Sequence, residues 1–228
     1  MKRSAPRPAG REPELFGATA ADPAAHRLDT IAKVRKAAAT CERCPLYRNA
    51  TQTVFGEGPE DAPVVFIGEQ PGDQEDLQGK PFVGPAGKMF DRALEEAGVD
   101  RRKVYVTNAV KHFKFEWRGK RRLHAKPNAG EIERCNWWLD KELSIIAPKL
   151  AVALGATAAR AVLGRATTIS KVRGGFLALP GRAGTDAFVT VHPSSLLRAP
   201  DEATRKREYD RFVADMHAIV RHVAAVRA

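Results

Sequence analysis

The sequence predicts an α/β protein, a three-layer doubly wound fold with a central four-stranded parallel sheet, and two patterns predict it. Four short, near-continuous apolar runs stand at Val64-Val65-Phe66-Ile67, Val104-Tyr105-Val106, Leu150-Ala151-Val152-Ala153-Leu154 and Phe188-Val189-Thr190-Val191. Each is separated from the next by residues with helical spacing. Strands that are apolar at successive positions, not at alternate ones, are buried on both faces, as happens in parallel sheets covered by crossover helices.

Residues 1–26, rich in Ala, Pro and Arg without periodicity, read as a disordered basic tail, because they bury too little to offset their ordering entropy. Residues 27–228 are expected to form a single domain. A helix is predicted from Lys33 to Ala39, then the CERCPL loop, then the first strand, which ends at Gly68. Met89, Phe90, Ala93, Leu94 and Ala97 give Ala86 to Ala97 a helical stripe. Asn128, with Glu131 three residues on, is a capping signature for a helix running to Ile146. A short helix comes next over Ala156 to Leu163, and Ile169 to Pro180, with Gly174-Gly175, is expected as a small ribbon or loop. The last helix, Asp201 to Val226, carries Tyr209, Phe212, Val213, Met216, Ile219, Val220 and Val223 on one stripe.

Composition narrows the class of function. At 228 residues and 43% hydrophobic the chain can build a core without disulfides. No run approaches the roughly 18 apolar residues of a membrane span, and the N-terminus has no apolar signal segment. A cytoplasmic, reducing location is expected. There an odd set of three cysteines with a Cys41-Glu-Arg-Cys44 spacing reads as metal or redox chemistry before it reads as a disulfide. The net charge of +11 favours a polyanionic partner, nucleic acid first. Arg-rich usage alone could produce that balance, but Lys111, Lys114, Arg118, Lys120, Arg121, Arg122 and Lys126 fall close together and only Glu116 opposes them. No exposed apolar stripe is evident, so a monomer is expected.

In an open parallel sheet the ligand lies beyond the carboxyl ends of the strands. The first strand runs into Gly68-Glu69-Gln70-Pro71-Gly72-Asp73-Gln74-Glu75-Asp76, the second into Thr107-Asn108, and the fourth into His192-Pro193-Ser194-Ser195-Leu196-Leu197-Arg198. Singly, each is a dipole partner, a turn residue or a satisfied core histidine. Together, a carboxylate, an amide and an imidazole at three strand ends read as a site.

These segments, in order over roughly residues 38 to 215, resemble the uracil-DNA glycosylase superfamily and most closely its iron-sulfur members. GEQPGDQED resembles the first signature, GKPFVGPAGKMF the uracil-stacking loop, VYVTNAVK the uracil-reading strand and HPSSLLR the second signature. The resemblance implies base flipping, with Phe82 on the ring face and Asn108 on the edge. The Asn108 amide would accept from N3–H and donate to O4, a pattern cytosine reverses. His192 would donate to O2 as charge develops on the leaving base. Core packing is the plain alternative for Phe82.

The resemblance also implies a 4Fe-4S cluster on Cys41, Cys44 and Cys135, with His112 where these proteins carry a further cysteine. Imidazole replaces thiolate on iron in Rieske centres. A Cys3His zinc site remains open, as does a His112 that ligates nothing.

Between His112 and Cys135 the chain is longer than in ordinary iron-sulfur glycosylases, and the added basic loop, about 114–126, holds Lys120-Arg121-Arg122-Leu123-His124. Its plain function is phosphate clamping by Lys120, Arg121 and Arg122. The KRR-x-H loop with GEQPG resembles the UdgX type, which bonds covalently to the DNA it excises, and implies that His124 attacks the sugar C1′ once uracil leaves. Glu69 would then fix the His124 tautomer and stabilise the resulting cation. Gln70 and Asp73 belong with the substrate-binding loop, and Asp76 helps to order it. Arg198 would pin a phosphate or the loop, Ser194 would contact DNA, and Leu196 or Leu197 would be a wedge in the base stack or a core residue. The expected activity is single-turnover uracil excision ending in a histidine-to-C1′ adduct on uracil-containing DNA, single strands included. The alternatives are a turnover glycosylase with the cluster and a non-catalytic iron-sulfur DNA-binding protein.

Overall fold

The computed structural model describes residues 28–226, so the tail expected over 1–26 lies outside the described residues. The elements run α1 (Ile31–Ala38), β1 (Val64–Gly68), α2 (Asp73–Gln78), α3 (Pro85–Glu96), β2 (Tyr105–Asn108), β3 (Phe115–Arg118), β4 (Arg121–His124) and α4 (Ala129–Ile146). Then come β5 (Leu150–Leu154), α5 (Gly155–Leu163), α6 (Ile169–Val172), β6 (Phe176–Ala178), β7 (Asp186–Thr190), α7 (Pro193–Leu197) and α8 (Glu202–Ala225). The Asn128–Glu131 capping box forms as its sequence indicates, each side chain bonding the other residue's backbone N–H. Asp201 caps α8 through Thr204 N.

The main sheet has the order β2-β1-β5-β7-β6. Its first four strands are parallel and match the four predicted apolar runs. The fifth, β6, is antiparallel to β7 and arises within Ile169 to Pro180, expected as a small ribbon or loop. It had no strand signature because it is three residues long, exposed and at an edge.

The register explains the unbroken apolar runs. Val65, Ile67, Ala151, Ala153, Ala187 and Val189 pack toward α1, α4 and α5. Val64, Phe66, Leu150, Val152 and Phe188 pack toward Phe90 and Leu94 of α3 and Phe212, Met216 and Ile219 of α8. With helices on both faces, alternate polar positions would be buried without partners. The chain leaves β1 toward β2 on one side and returns to β5 on the other, so strand order reverses at the β1–β5 boundary and opens a crevice above the carboxyl ends.

The basic segment expected as a loop is a two-stranded antiparallel ribbon, β3 paired with β4. Gly119, at φ 60, opens its two-residue turn with Lys120, a left-handed position that a side chain would strain. Phe115 lies opposite His124, and Trp117 opposite Arg122. The Arg122 guanidinium lies 5.4 Å from the Phe113 ring centroid and 5.1 Å from that of Phe115, a cation–π contact that holds the ribbon to the body.

Candidate active site

The ends of β1, β2, β5 and β7 and the tip of β4 surround a cleft of about 830 Å³. Asn108 closes β2 opposite Gly68 of β1 and is 3% exposed. A side chain at Gly68 would strike Asn108 Oδ1 and come within 2.8 Å of Phe82 Cζ; glycine lets both groups lie against the strand end. Phe82 has φ 59, a conformation that bulky residues adopt only when their surroundings impose it. Its ring lies 5.2 Å from Phe90 and 6.3 Å from the His192 ring. Glu75, whose place in the sequence suggested no role, ties the two loops together by accepting from Gly72 N at 3.1 Å and Gly84 N at 2.8 Å.

His192 stands at the start of α7. Its Nδ1 accepts from the Ser194 backbone N–H at 3.2 Å and lies 2.8 Å from the Ser194 hydroxyl. An acceptor at Nδ1 places the neutral ring's proton on Nε2. Burial depresses the imidazole to about 4, so the ring is neutral and a donor at physiological pH. Ser194 is thereby engaged with the histidine instead of standing free for DNA. Leu196 is 2% exposed and belongs to the core against α3 and α8, which removes it as a wedge. Leu197, one residue on, is 40% exposed and lines the cleft with Arg198.

The opposite wall carries Glu69 and His124. His124 Nε2 lies 3.0 Å from Glu69 Oε1, and Thr157 of α5 donates to Glu69 Oε2 at 2.5 Å. Burial alone would raise the Glu69 carboxyl, but the bonds from His124 and Thr157 outweigh it and hold the group below its ordinary value. With its proton on Nε2, a neutral His124 faces the carboxylate with that N–H and keeps its lone pair on the other ring nitrogen. Thr157 carried no sequence signal, since a lone threonine in a helix looks like any other.

Gln70 fixes the base of the ribbon, donating to the carbonyls of Lys114 and Ala125 at 3.1 Å and accepting from Lys114 N at 3.0 Å. Arg122, expected beside Lys120 and Arg121 as a phosphate contact, is turned inward. It bonds Asp73 at 2.7 Å and Asp76 at 2.6 Å, and only 12% of its side chain is exposed. The run of seven basic residues is therefore not one patch: Lys111 is buried against Glu142, and Lys114 pairs with Glu131. Arg118, Lys120, Arg121 and Lys126 are the exposed remainder.

Cys41, Cys44, His112 and Cys135 are all buried, and all three cysteines are free thiols. Among the described residues no three His, Cys, Asp or Glu side chains gather closely enough to hold a metal ion. The Trp138 indole N–H donates to Cys41 Sγ at 3.0 Å, and the Lys111 backbone N–H to Cys135 Sγ at 3.1 Å. Burial raises the Cys44 thiol and pushes Cys135 up to about 12. The Thr53 hydroxyl donates to Ala38 O at 2.8 Å, so it accepts from His112 Nε2 at 2.9 Å. That tautomer puts the His112 lone pair on Nδ1, a buried atom with no partner.

Among the described residues no helix is long and apolar enough to cross a membrane. Residues 55–217 match the family model described as Uracil DNA glycosylase superfamily. The chain is similar to the Type-4 uracil-DNA glycosylase of Thermotoga maritima, 39% identical over 73% of this chain and 82% of the relative. Proteins of the same description from Sulfurisphaera tokodaii and Archaeoglobus fulgidus are each 32% identical over 76% of this chain, covering 79% and 86% of those relatives. On a match that spans the whole main sheet and its strand ends, the chain belongs to the uracil-DNA glycosylase superfamily.

Proposed function

We propose that this chain is a base-excision repair enzyme that removes uracil from DNA and then bonds to the sugar it has exposed, in a single turnover. Phe82 stacks on the flipped base, Asn108 reads its edge, and neutral His192 donates from Nε2 to O2 as the N1–C1′ bond breaks and its electron pair moves onto the uracil. The oxocarbenium-like C1′ left behind then accepts the free lone pair of His124, forming the N–C1′ bond, while Glu69 stabilises or takes up the Nε2 proton. The observation that carries this reading is the His124–Glu69 contact of 3.0 Å at the wall of the cleft that Asn108, Phe82 and His192 also line. A histidine only clamping phosphate has no need of a partly buried carboxylate partner.

Arg121 and Lys120 supply phosphate contacts, Leu197 the wedge, and Arg198 a phosphate or loop contact. Cys41, Cys44, Cys135 and His112 through Nδ1 would hold a 4Fe-4S cluster. The N–H bonds to two sulfurs and the orphaned Nδ1 fit that donor set. Such a cluster would supply a structural cross-link, since breaking a glycosidic bond requires no electron transfer.

A second reading, conventional turnover, is favoured by the Type-4 names of the relatives. Incubation with uracil-containing single-stranded DNA and a denaturing gel separates the two. A retarded protein–DNA band that survives denaturation is expected; free abasic product without that band would establish turnover instead.

A further inference from the structure

The ion pair between Lys111 and Glu142 is unusual for its cost. Both side chains are completely buried, and the Lys111 Nζ to Glu142 Oε2 distance is 2.5 Å. Removing two charges from water carries a desolvation penalty that their attraction repays only when every remaining donor and acceptor is also satisfied. Here they are. The three ammonium protons go to Glu142, to Thr107 Oγ1 at 2.6 Å and to the Asn108 carbonyl at 2.7 Å. The carboxylate also accepts from the Tyr105 hydroxyl at 2.8 Å, the Thr107 hydroxyl at 3.0 Å and Gly56 N at 3.2 Å.

Hydrophobic side chains would fill such a space at less cost, so what the charge contacts matters. Strand β2 lies at the edge of the sheet, where a buried carbonyl pointing away from β1 has no ladder partner. The carbonyl that Lys111 satisfies belongs to Asn108, whose amide side chain lies against bare Gly68. Through its own backbone N–H the same lysine bonds Cys135 Sγ, and Glu142 sits two helical turns after Cys135 on α4.

We propose that Lys111 and Glu142 are positioning residues for uracil recognition: the buried pair fixes the end of β2 so that the Asn108 amide meets the base edge, and ties that geometry to the cysteine-bearing helix α4. The proposal rests on the reading of Asn108 as the base-recognising residue. A displacement of the amide by an ångström weakens the bonds made to the departing base without altering how the protein grips the DNA backbone.

The test uses the full chain with its iron content measured. Lys111→Met/Glu142→Gln removes both charges together and avoids stranding one. Excision of uracil from single-stranded DNA at saturating protein is expected to slow roughly ten- to hundredfold and discrimination against cytosine to fall, with DNA affinity unchanged. Ile219→Ala, a core truncation on α8, lowers melting temperature as a control and is expected to leave the rate alone. Should the double variant not fold, Thr107→Val, which removes the bridging hydroxyl at constant shape, is expected to slow excision in the same sense. Wild-type excision by a folded double variant, or by Thr107→Val where only that variant folds, overturns the proposal, as does a loss confined to DNA affinity. Unchanged excision by Asn108→Ala would instead overturn the base-reading role itself, which keeps the two failures apart.

Discussion

The two walls of the cleft are built by different physics. The wall that holds Asn108, Phe82 and His192 is the end of a parallel sheet: its side chains are buried or half-buried, fixed by backbone pairing, by a bare glycine and by a neutral imidazole tautomer. The wall that holds His124 is a two-stranded ribbon on which that side chain is half exposed, held down by the Arg122 pairs to Asp73 and Asp76, the Gln70 bonds to its base and the Glu69 contact. Groups that stabilise charge on a departing base must be in place beforehand. A nucleophile that intercepts a short-lived cation needs only to be near and correctly protonated. In the proposed reaction bond breaking belongs to the sheet and capture to the ribbon, and each assignment can be broken separately.

The largest expected effect is on capture. His124→Ala should abolish the covalent band while uracil is still released, now with turnover, because Asn108, Phe82 and His192 remain; quantifying free uracil beside the denaturing gel checks both halves. Loss of uracil release with loss of the band would merge the two walls into one step. Next comes His192→Ala, where removal of one donor to developing charge is expected to slow uracil release by about 10²- to 10³-fold, measured in single turnover. Arg122→Met should rank third, lowering crosslink yield roughly tenfold by loosening the ribbon while leaving uracil release within a factor of about two; equal loss of both would mean that the ribbon also shapes the sheet wall.

The pH dependence sharpens the same contrast. His192 is depressed to about 4 by burial, so its donor tautomer persists and uracil release should stay flat as pH falls from 7 to about 5. The unfolded chain binds a proton near pH 6.5 that the folded His192 refuses, so this group lowers stability progressively as pH falls from about 6.5 toward 4. Glu69, held below its ordinary value, remains a carboxylate as pH falls from 7 to about 5. A release rate that drops near pH 6.5 while the protein remains folded would place His192 in water. The smallest effect is on backbone binding: neutralising Lys120 and Arg121 should reduce the salt slope of DNA affinity by up to about 2, read from a plot of log affinity against log salt.

How much of this was legible depends on the kind of signal each part leaves. The four parallel strands announced themselves because burial on both faces forbids polar positions, and α4 did so through Asn128 and Glu131. Edge strand β6 left no such mark. In the basic segment, charge suggested a phosphate-binding loop, but sequence shows the cations and not their partners. Asp73 and Asp76 precede Arg122 by more than forty residues, and Glu142 lies about thirty residues beyond Lys111. Nothing local distinguishes the inward Arg122 from the outward Arg121, except that in the ribbon alternate residues face opposite ways. The same alternation of exposure, on a helix, separates buried Leu196 from exposed Leu197. Thr157 and Thr53, which hold Glu69 and His112, are single hydroxyls that only the fold brings to their partners.

The central claim is that His124 captures C1′, and mass spectrometry of the protease-digested protein–DNA adduct tests it most directly. The sugar should be carried by the peptide containing Leu123-His124-Ala125, with the bond on the imidazole and without any reducing agent. A sugar mapped to Lys120 or Lys126, or an adduct that forms only when borohydride traps it, would contradict histidine capture and point to Schiff-base chemistry in its place.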